Sequence, residues 1–314
     1  MKELISIVIP AYNEQENIDE LARQLKLAFQ QCSDFDFEVI LVDNGSADRS
    51  WELIQKVGAE DSRFKGLQLS RNFTAPGGIT SGLHYASGDA AIVMCADLQD
   101  QPQMIPTLIQ KWKDGYDVVY QIVSERKGVG PFYSFASEVF HWLMNRLTAG
   151  NFPRNGSVYR IMDRSAYVAF NSLAERNRYF TGLCNWIGFK SIGIPFPRAE
   201  RFGGSAKSSF SVVFKLALNG IFSFSYIPLR IMTWFGVAIS LAALIYFLVT
   251  VALVLHDGTK ALPGIPTLIC LNIFLFGLLF LFLGIIGEYL GRIYDEVKLR
   301  PNFIVRRSLG LKNL

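Results

Sequence analysis

The sequence predicts an α/β domain with a mostly parallel sheet, followed by a pair of helices long enough to cross a membrane. The first observation is that short apolar runs alternate with amphipathic helical patterns from the start of the chain, which is typical of strands that alternate with helices. The second is that the apolar residues after position 228 are collected into two long uncharged stretches.

The predicted strands end in polar loops. Residues 4–9, 37–42 and 66–69 have the length and composition of strands, and each is followed by polar side chains. Helical spacing of apolar residues follows over residues 18–29 and 51–57. Because ligands bind at the carboxyl ends of the strands in open parallel sheets, we expect a site along this edge.

The stretch at residues 90–102 is the centre of the prediction. A continuous apolar run ends there in Asp97, Gln99 and Asp100, and a proline follows. Carboxylate and amide oxygens favour Mg²⁺ or Mn²⁺ over zinc. An exposed acidic turn that caps the next helix is the alternative interpretation of this segment taken alone.

Neither of the common phosphate-binding motifs is present. The chain has no Walker pattern and no G-x-G-x-x-G at the first turn. If the chain binds a nucleotide, the nucleotide must then be held by side chains at the strand ends and by a divalent ion. Asp43 is well placed to accept a hydrogen bond from a base N–H or a ribose hydroxyl. A helix-capping role, the alternative, fits Ser46 or Asp48 better than Asp43.

Two stretches are predicted to span a membrane as a helical hairpin. Residues 231–255 and 267–286 carry no charge and are long enough for a hydrocarbon core of about 30 Å. Basic residues lie before the first stretch and after the second, whereas the loop at 256–266 has only Lys260 and His256. The distribution predicts that both chain ends are cytoplasmic. The apolar run at residues 4–9 is too short for a signal peptide.

Charge and cysteine content narrow the classes of function. The net charge of +4 and the basic C-terminal residues fit contact with anionic lipid, and no nucleic-acid-binding motif or basic helix is present. The four cysteines have no metal or redox spacing, so we expect reduced thiols.

Two amphipathic patterns suggest helices that lie at the membrane surface. The pattern at residues 208–221 directly precedes the first apolar stretch, and residues 132–147 repeat it with aromatic side chains. For residues 132–147, packing on the sheet is an equal alternative. Directly after the second apolar stretch, Gly287 and Gly291 have the spacing that lets helices approach closely, either within the chain or between subunits, so a homo-oligomer is possible.

Five segments in order carry a family resemblance. They are Pro10-Ala11-Tyr12-Asn13-Glu14, Val42-Asp43-Asn44-Gly45-Ser46, Ser70-Arg71-Asn72-Phe73, Ser87-Gly88-Asp89 and Ala96-Asp97-Leu98-Gln99-Asp100. They resemble the motifs of family 2 glycosyltransferases with the GT-A fold, a Rossmann-like α/β architecture. Within that family the chain is similar to the polyisoprenyl-phosphate glycosyltransferases, the group of dolichol-phosphate mannose synthase, and its C-terminus resembles the bactoprenol glucosyltransferase branch.

The resemblance implies a role for each matching residue. It implies that the nucleoside is held by Pro10, Tyr12, Glu14 and Asp43, and that Arg71 lies near the phosphates. Together with Asp97 and Lys207, these five residues are expected to bind the nucleotide sugar. It implies a metal site of Asp97 and Gln99. Residues 155–164 match the family's segment over the active site, and residues 201–207 resemble its basic loop. Arg160, Arg201 and Lys207 are accordingly expected at the phosphates, with Asp97, Arg160 and Arg201 as the catalytic set.

Three departures from the family pattern affect these expectations. Cys95 stands where the first acidic residue of D-x-D is found, which makes Asp100 a candidate third metal ligand. Asn155 and Val158 stand where acidic residues are usual, so the family's catalytic base is in doubt. Asn44 replaces a frequent second aspartate, a milder change.

The resemblance implies transfer of a hexose, with UDP-glucose the favoured donor, to a polyprenyl phosphate. A phosphomonoester with a second pKa near ~6 is mostly dianionic at neutral pH. A phosphate acceptor therefore depends less on a general base than a sugar hydroxyl, which must lose its proton. The expected division of the chain is a cytoplasmic catalytic domain (1–206), an interfacial helix (207–228), a two-span hairpin (229–290) and a basic cytoplasmic tail (291–314). The alternatives are another donor, such as GDP-mannose, and a non-catalytic scaffold that binds nucleotide sugar.

Overall fold

A computed structural model describes residues 2–123, 156–176, 178–197, 227–257 and 264–311. The chain forms two compact units, one comprising Met1–Gly220 with Arg300–Leu314 and the other Ile221–Leu299. The two predicted amphipathic segments, at 132–147 and 208–221, lie outside the described residues, as do Asn155, Arg201 and Lys207.

The first unit is built on an eight-stranded sheet with the order β7-β5-β6-β4-β1-β2-β3-β8. The strands are β1 (Glu3–Ala11), β2 (Phe35–Asp43), β3 (Phe64–Leu69), β4 (Ala90–Val93), β5 (Val118–Val123), β6 (Gly156–Asp163), β7 (Ser191–Phe196) and β8 (Val305–Leu309). The predicted strands at 4–9, 37–42 and 66–69 each lie within one of these.

Parallel pairing dominates the centre of the sheet. β1 pairs in parallel with both β2 and β4, and β2 pairs in parallel with β3. β6 runs antiparallel between β4 and β5, while β5 and β7 are parallel. The predicted α/β class with a mostly parallel sheet is therefore confirmed. As a result, the carboxyl ends of β1, β2, β3 and β4 lie along one edge.

Helices cover both faces of the sheet. They are α1 (Ile18–Gln31), α2 (Ser50–Glu60), α3 (Thr74–Tyr85), α4 (Ile105–Lys113), α5 (Arg164–Ser172) and α6 (Phe180–Trp186), with a 3₁₀ turn at Pro102–Met104. Apolar residues of α1, α2 and α4 join those of the strands in one core, for example Ile18, Leu21 and Leu25 of α1. Burial of each such side chain contributes about 1.5–3 kcal/mol. The apolar spacing along α1 is therefore explained by its packing on the sheet.

β8 adds an antiparallel edge strand next to β3. It lies within residues 291–314, which the sequence patterns predict only as a basic tail. Leu309 packs against the main core, while Arg306 and Arg307 are exposed. A five-residue strand with two adjacent arginines lacks the apolar signal of a buried strand, which is why the sequence did not predict it.

The second unit consists of two long helices, α7 (Ile227–Asp257) and α8 (Ile265–Val297). The rings of Phe235 and Phe282 meet edge to face at 6.4 Å, so the helices contact each other. Among the described residues, the segment Leu271–Val297 is long and apolar enough to cross a membrane, and Ile231–Tyr246 is a shorter apolar helical segment. α8 extends beyond the predicted stretch at 267–286 and ends in polar turns that include a Glu288–Arg292 pair at 2.9 Å.

A buried glutamate ties three strands and a loop together at the opposite end of the sheet from the polar edge. Glu38 Oε1 accepts hydrogen bonds from Ser6 Oγ at 2.5 Å and from Ser87 N and Oγ at 2.8 Å, and Oε2 accepts from Lys65 Nζ at 2.5 Å. Burial raises the pKa of Glu38, but the hydrogen bonds from Lys65, Ser6 and Ser87 outweigh it and hold the pKa below its usual value.

Replacement of this carboxylate will make the stability of the first unit less dependent on pH. Because the folded-state pKa of Glu38 is lowered, its contribution is present above the unfolded pKa of about 4.3 and is lost as the pH falls below it. Glu38→Gln should reduce the free energy of unfolding at pH 7 by about 1–3 kcal/mol and flatten its decline below pH 5. Thermal unfolding between pH 3.5 and 7.5 measures both effects. The exposed Glu60→Gln is the control, and equal behaviour of the two variants would contradict the assignment.

Candidate active site at the carboxyl edge of the sheet

The loops that follow β1 and β2 are hydrogen-bonded to each other. Asn13 N donates to Ser46 Oγ and Ala47 N donates to Asn13 Oδ1, both at 2.9 Å. Glu14 N donates to Ser50 Oγ, also at 2.9 Å. These bonds use side chains of one loop to satisfy backbone N–H groups of the other. The two polar loops are therefore held together as one surface.

Strained backbone is concentrated at this edge. Asn13, Thr74 and Leu98 have positive φ values of 53°, 66° and 61°, and they lie in the loops or helix start that follow β1, β3 and β4. Such conformations cost about 1–3 kcal/mol each for non-glycine residues and persist only where surrounding contacts impose them. Three strained positions on neighbouring loops indicate a functional edge.

Asp43 is fully buried at the end of β2. Its Oδ1 accepts from Ser46 N and its Oδ2 accepts from Gln68 Nε2, both at 2.9 Å. The carboxylate thus fixes the turn after β2 and reaches across to β3. The side chain of Asp48 accepts a hydrogen bond from Ser50 N at 3.0 Å at the start of α2. This agrees with the expectation that Asp48 suits a helix-capping role better than Asp43 does.

The other expected nucleoside residues lie in the adjoining loop. Pro10 is half-buried near the end of β1, and Tyr12 is 38% exposed. Glu14 Oε2 accepts from Asn17 Nδ2 at 2.6 Å, just before α1 begins. The structure therefore brings Pro10, Tyr12 and Glu14 beside the turn that contains Asp43.

Asn44 clips the loop after β3, a role that the sequence patterns did not reveal. Its Nδ2 donates to Thr74 O at 2.8 Å and its Oδ1 accepts from Phe73 N at 2.9 Å. The neighbouring Gly45 has a φ of +73°, and a Cβ there would lie 2.4 Å from the carbonyl carbon of Arg71. An amide supplies both a donor and an acceptor, whereas an ionised aspartate would supply acceptors only.

Arg71 lies on this clipped loop. Its side chain is exposed, and its guanidinium carbon is 4.1 Å from the centre of the Phe73 ring. Its Nη1 also donates to Asn72 O at 3.2 Å. The charge is thus presented at the edge of the sheet, between the turn after β2 and the start of α3.

The loop after β4 carries the expected metal ligands. Asp97 is 8% exposed and its Oδ1 accepts from Gln99 N at 3.3 Å. Asp100 is fully buried, and its Oδ2 accepts from Cys95 N at 2.8 Å. The buried Asp100 therefore stabilises the conformation of the loop. Asp97 and Gln99 are the more accessible hydrogen-bond acceptors of this loop.

Tyr159 of β6 is hydrogen-bonded to the end of the same loop. It is fully buried and its hydroxyl donates to Gln101 O at 2.9 Å. Burial, together with the nearby Asp100, raises the pKa of Tyr159 well above its usual value, so the hydroxyl keeps its proton. The strained turn at Leu98 is therefore closed by Asp100 and anchored to β6.

The donor set fits a hard divalent cation that is shared with a phosphate ligand. Among the described residues there is no group of three or more His, Cys, Asp or Glu side chains that could hold a metal. Mg²⁺ commonly uses one or two carboxylates and completes its shell with water and substrate phosphates. Asp97 and Gln99 carry oxygens of the kind that such a site uses, and the described residues form no closed protein cage.

Arg160 lies inside the protein rather than on its surface. It is fully buried on β6, its Nη2 donates to Ser157 O at 2.7 Å and its Nε to Val158 O at 3.3 Å. The guanidinium carbon is 5.0 Å from the centre of the Phe180 ring. Nη1 has no hydrogen-bond partner within the part of the chain that the structure describes. A buried cation of this kind is costly unless it is paired.

Comparison with known proteins identifies the family. Residues 6–173, which include the strand ends and loops described above, match the model of glycosyl transferase family 2. The chain belongs to that family.

Full-length relatives of this glycosyltransferase have related descriptions. It is 37% identical over 308 residues to an uncharacterized glycosyltransferase of Bacillus subtilis, with 98% of this chain and 95% of the relative covered. It is 33% identical over 306 residues to the bactoprenol glucosyl transferase of Shigella phage SfII, with 97% and 98% covered.

A solved structure supports the fold. The glucosyl-3-phosphoglycerate synthase of Mycobacterium tuberculosis, in complex with Mn²⁺, UDP and phosphoglyceric acid, has a TM-score of 0.50 and 17% identity, covering 69% of this chain and 75% of that chain. The expected GT-A-like α/β fold is thereby confirmed for the first unit.

The Asn44 clip yields a test of how the loops are held. In Asn44→Asp the carboxylate cannot donate to Thr74 O, so we expect a loss of about 1–3 kcal/mol in stability and weaker binding of UDP in the presence of Mn²⁺. Thermal unfolding and calorimetry measure the two effects. Gln31→Glu adds the same charge at an exposed position at the end of α1 and serves as the control. A variant that matches this control in both measurements would show that the clip is dispensable.

Proposed function

We propose that the protein transfers a hexosyl group, most favourably glucose from UDP-glucose, to a polyprenyl phosphate at the cytoplasmic face of a membrane. The observation that carries the proposal is the extent of similarity to bactoprenol glucosyl transferases, which spans nearly the whole chain. That extent takes in the polar edge of the sheet, both apolar helices and β8.

The donor would lie along the carboxyl edge of the sheet. The nucleoside would contact Pro10, Tyr12, Glu14 and Asp43, which the structure brings into adjoining loops. Asp97 and Gln99 would hold Mg²⁺ or Mn²⁺, which when bound offsets the charge of the diphosphate leaving group. Arg71 and Lys207 would add positive charge at the same phosphates.

The chemistry of a phosphate acceptor would allow the reaction to proceed although Val158 stands where the family pattern has an acidic residue. A dianionic phosphate oxygen can attack the anomeric carbon directly, while the bond to the diphosphate breaks on the opposite side and the configuration inverts. The enzyme must then position the anions and balance their charge. Arg160, whose Nη1 has no partner among the described residues, and Arg201 are the groups proposed for this task.

The helices of the second unit would anchor the enzyme. We propose that α7 and α8 form a two-span hairpin, with the catalytic domain (1–206) and residues 291–314 on the cytoplasmic side and the segment 207–228 at the interface. The apolar segment Leu271–Val297 supports one of the spans. Basic residues in its last turns and directly after it, Arg292, Lys298 and Arg300, would contact anionic lipid. Gly287 and Gly291 leave a face of α8 open, which suits close packing with a helix of a second copy.

A second candidate function is a non-catalytic scaffold that binds nucleotide sugar. Cys95, Asn155 and Val158, at positions where the family pattern has acidic residues, favour it. The two candidates differ in turnover and agree in nucleotide binding.

The proposed reaction can be tested with purified full-length protein, Mn²⁺ or Mg²⁺, and undecaprenyl phosphate. UDP-glucose should yield a lipid-linked glucose whose anomeric configuration, determined by NMR, is opposite to that of the donor. UDP-galactose and GDP-mannose, in parallel reactions, determine the sugar. Metal-dependent UDP binding without lipid-linked product from any donor would favour the scaffold, and the absence of both would overturn the two functions together.

Asp97 should be required for binding that depends on metal. Asp97→Asn removes the charge that holds the cation, so we expect kcat/KM to fall about 100-fold or more and the Mn²⁺-dependent part of UDP affinity to disappear. Calorimetry with and without Mn²⁺ measures that part directly. Asp19→Asn is the matched control, because Asp19 only forms an exposed pair with Lys56 at 3.3 Å. Equal Mn²⁺ dependence in the two variants would remove Asp97 from the metal site.

A further inference from the structure

The chain returns from α8 to complete the catalytic unit. Residues 300–304, which we name the C-terminal strap, follow α8 and lead directly into β8. β8 pairs with β3, the strand whose end carries the Arg71 loop. The strap therefore runs beside the loop to which the proposed function assigns the donor phosphates.

Hydrogen bonds hold the strap at both ends. Ser70 N, one residue before Arg71, donates to Ile304 O at 2.9 Å. At the other end Arg176 Nη1 donates to Arg300 O. Between them Asn302 Nδ2 donates to Glu175 O at 3.4 Å. Because Ser70 N is satisfied by the strap, the first residue of the Arg71 loop is fixed by a segment more than 200 positions later in the sequence.

Phe303 of the strap and Phe73 of the loop pack against the same small core. A small core of β2 and β3 residues is covered by side chains from both segments, Phe73 from the loop and Phe303 and Val305 from the C-terminal part. The Phe303 ring also lies 5.7 Å from the ring of His84 on α3. Removal of Phe303 would take away one of the side chains that cover this small core and leave a cavity beside it.

The first turn of α3 lies close to both the loop and the strap. A Cβ added to Gly77 would lie 2.6 Å from Phe73 Cβ and 3.1 Å from Asn302 O, so a side chain at this position would displace one or both. Arg71 in turn rests on the Phe73 ring. A cation–π contact at an exposed site is weak, so it can orient Arg71 only if the ring itself is held in one place.

We propose that Phe303 is a positioning residue for donor binding, acting through Phe73 on Arg71. The strap sets the position of the Phe73 ring, and the ring sets where the guanidinium of Arg71 is presented. This inference rests on the proposed function for the identity of the ligand, a nucleoside diphosphate with a divalent cation. Its structural part, that the strap orders the loop at residues 70–74, is independent of that ligand.

The test compares Phe303→Ala with Ile304→Ala in the full-length protein. Both remove apolar atoms from adjacent strap residues, but Ile304 is 49% exposed, and its carbonyl, which accepts from Ser70 N, is kept in the alanine variant. We expect Phe303→Ala to weaken binding of UDP with Mn²⁺ about five- to tenfold and to raise the KM for the sugar donor without changing that for polyprenyl phosphate. Phe303→Leu should recover most of the loss. Hydrogen exchange at residues 70–74 should rise in Phe303→Ala alone.

A double-mutant cycle separates positioning from general loss of stability. If Phe303 acts through Arg71, then Phe303→Ala should have almost no further effect on UDP affinity in an Arg71→Ala background. Full additivity of the two changes, or equal KM increases for donor and acceptor, would overturn the inference. If the wild-type protein binds no nucleotide, the proposed function fails instead. In that case hydrogen exchange alone tests whether the strap orders residues 70–74. Unchanged exchange at these residues in Phe303→Ala would overturn this structural part of the inference.

Discussion

Parallel pairing of β1 with β2 and β4 is the constraint on which the site depends. The register places Ala11 beside Asp43 and Val8 beside Val93, so three strands end at one edge and deliver their following loops to the same place. In two of these loops, Asn13 and Leu98 have positive φ values, which cost energy for residues other than glycine. The side chains of neighbouring loops hold them, and the strain is offset by hydrogen bonds that exist only when the strands are in register.

Two buried charges in the same unit illustrate different uses of burial. Glu38 is surrounded by donors and stabilises the fold without any ligand. Arg160 makes hydrogen bonds to nearby carbonyls and packs on aromatic rings, yet within the described residues one of its nitrogens finds no partner. The first arrangement lowers the energy of the folded protein by itself, whereas the second leaves a cation whose stabilisation an anion would complete.

Much of the architecture could be predicted from the sequence because the signals are local. Apolar runs of strand length and helical spacing predicted β1, β2, β3 and α1, and the polar loop ends predicted the edge where Asp43 and Asp97 lie. The features that could not be predicted depend on contacts between distant residues. β8 has no strong pattern of its own, and the Asn44 clip requires knowledge of where Thr74 lies. Burial of Arg160 and the bracing role of Asp100 also follow only from packing.

The position of β8 in the chain has a consequence for biosynthesis. Because proteins are made from the amino terminus, β3 emerges long before β8, and both apolar helices are translated between them. During that interval β3 is an open sheet edge, available for mispairing with other chains. The last strand can close this edge only after α7 and α8 have left the ribosome, so the sheet of the first unit is completed only when synthesis of the chain is almost finished.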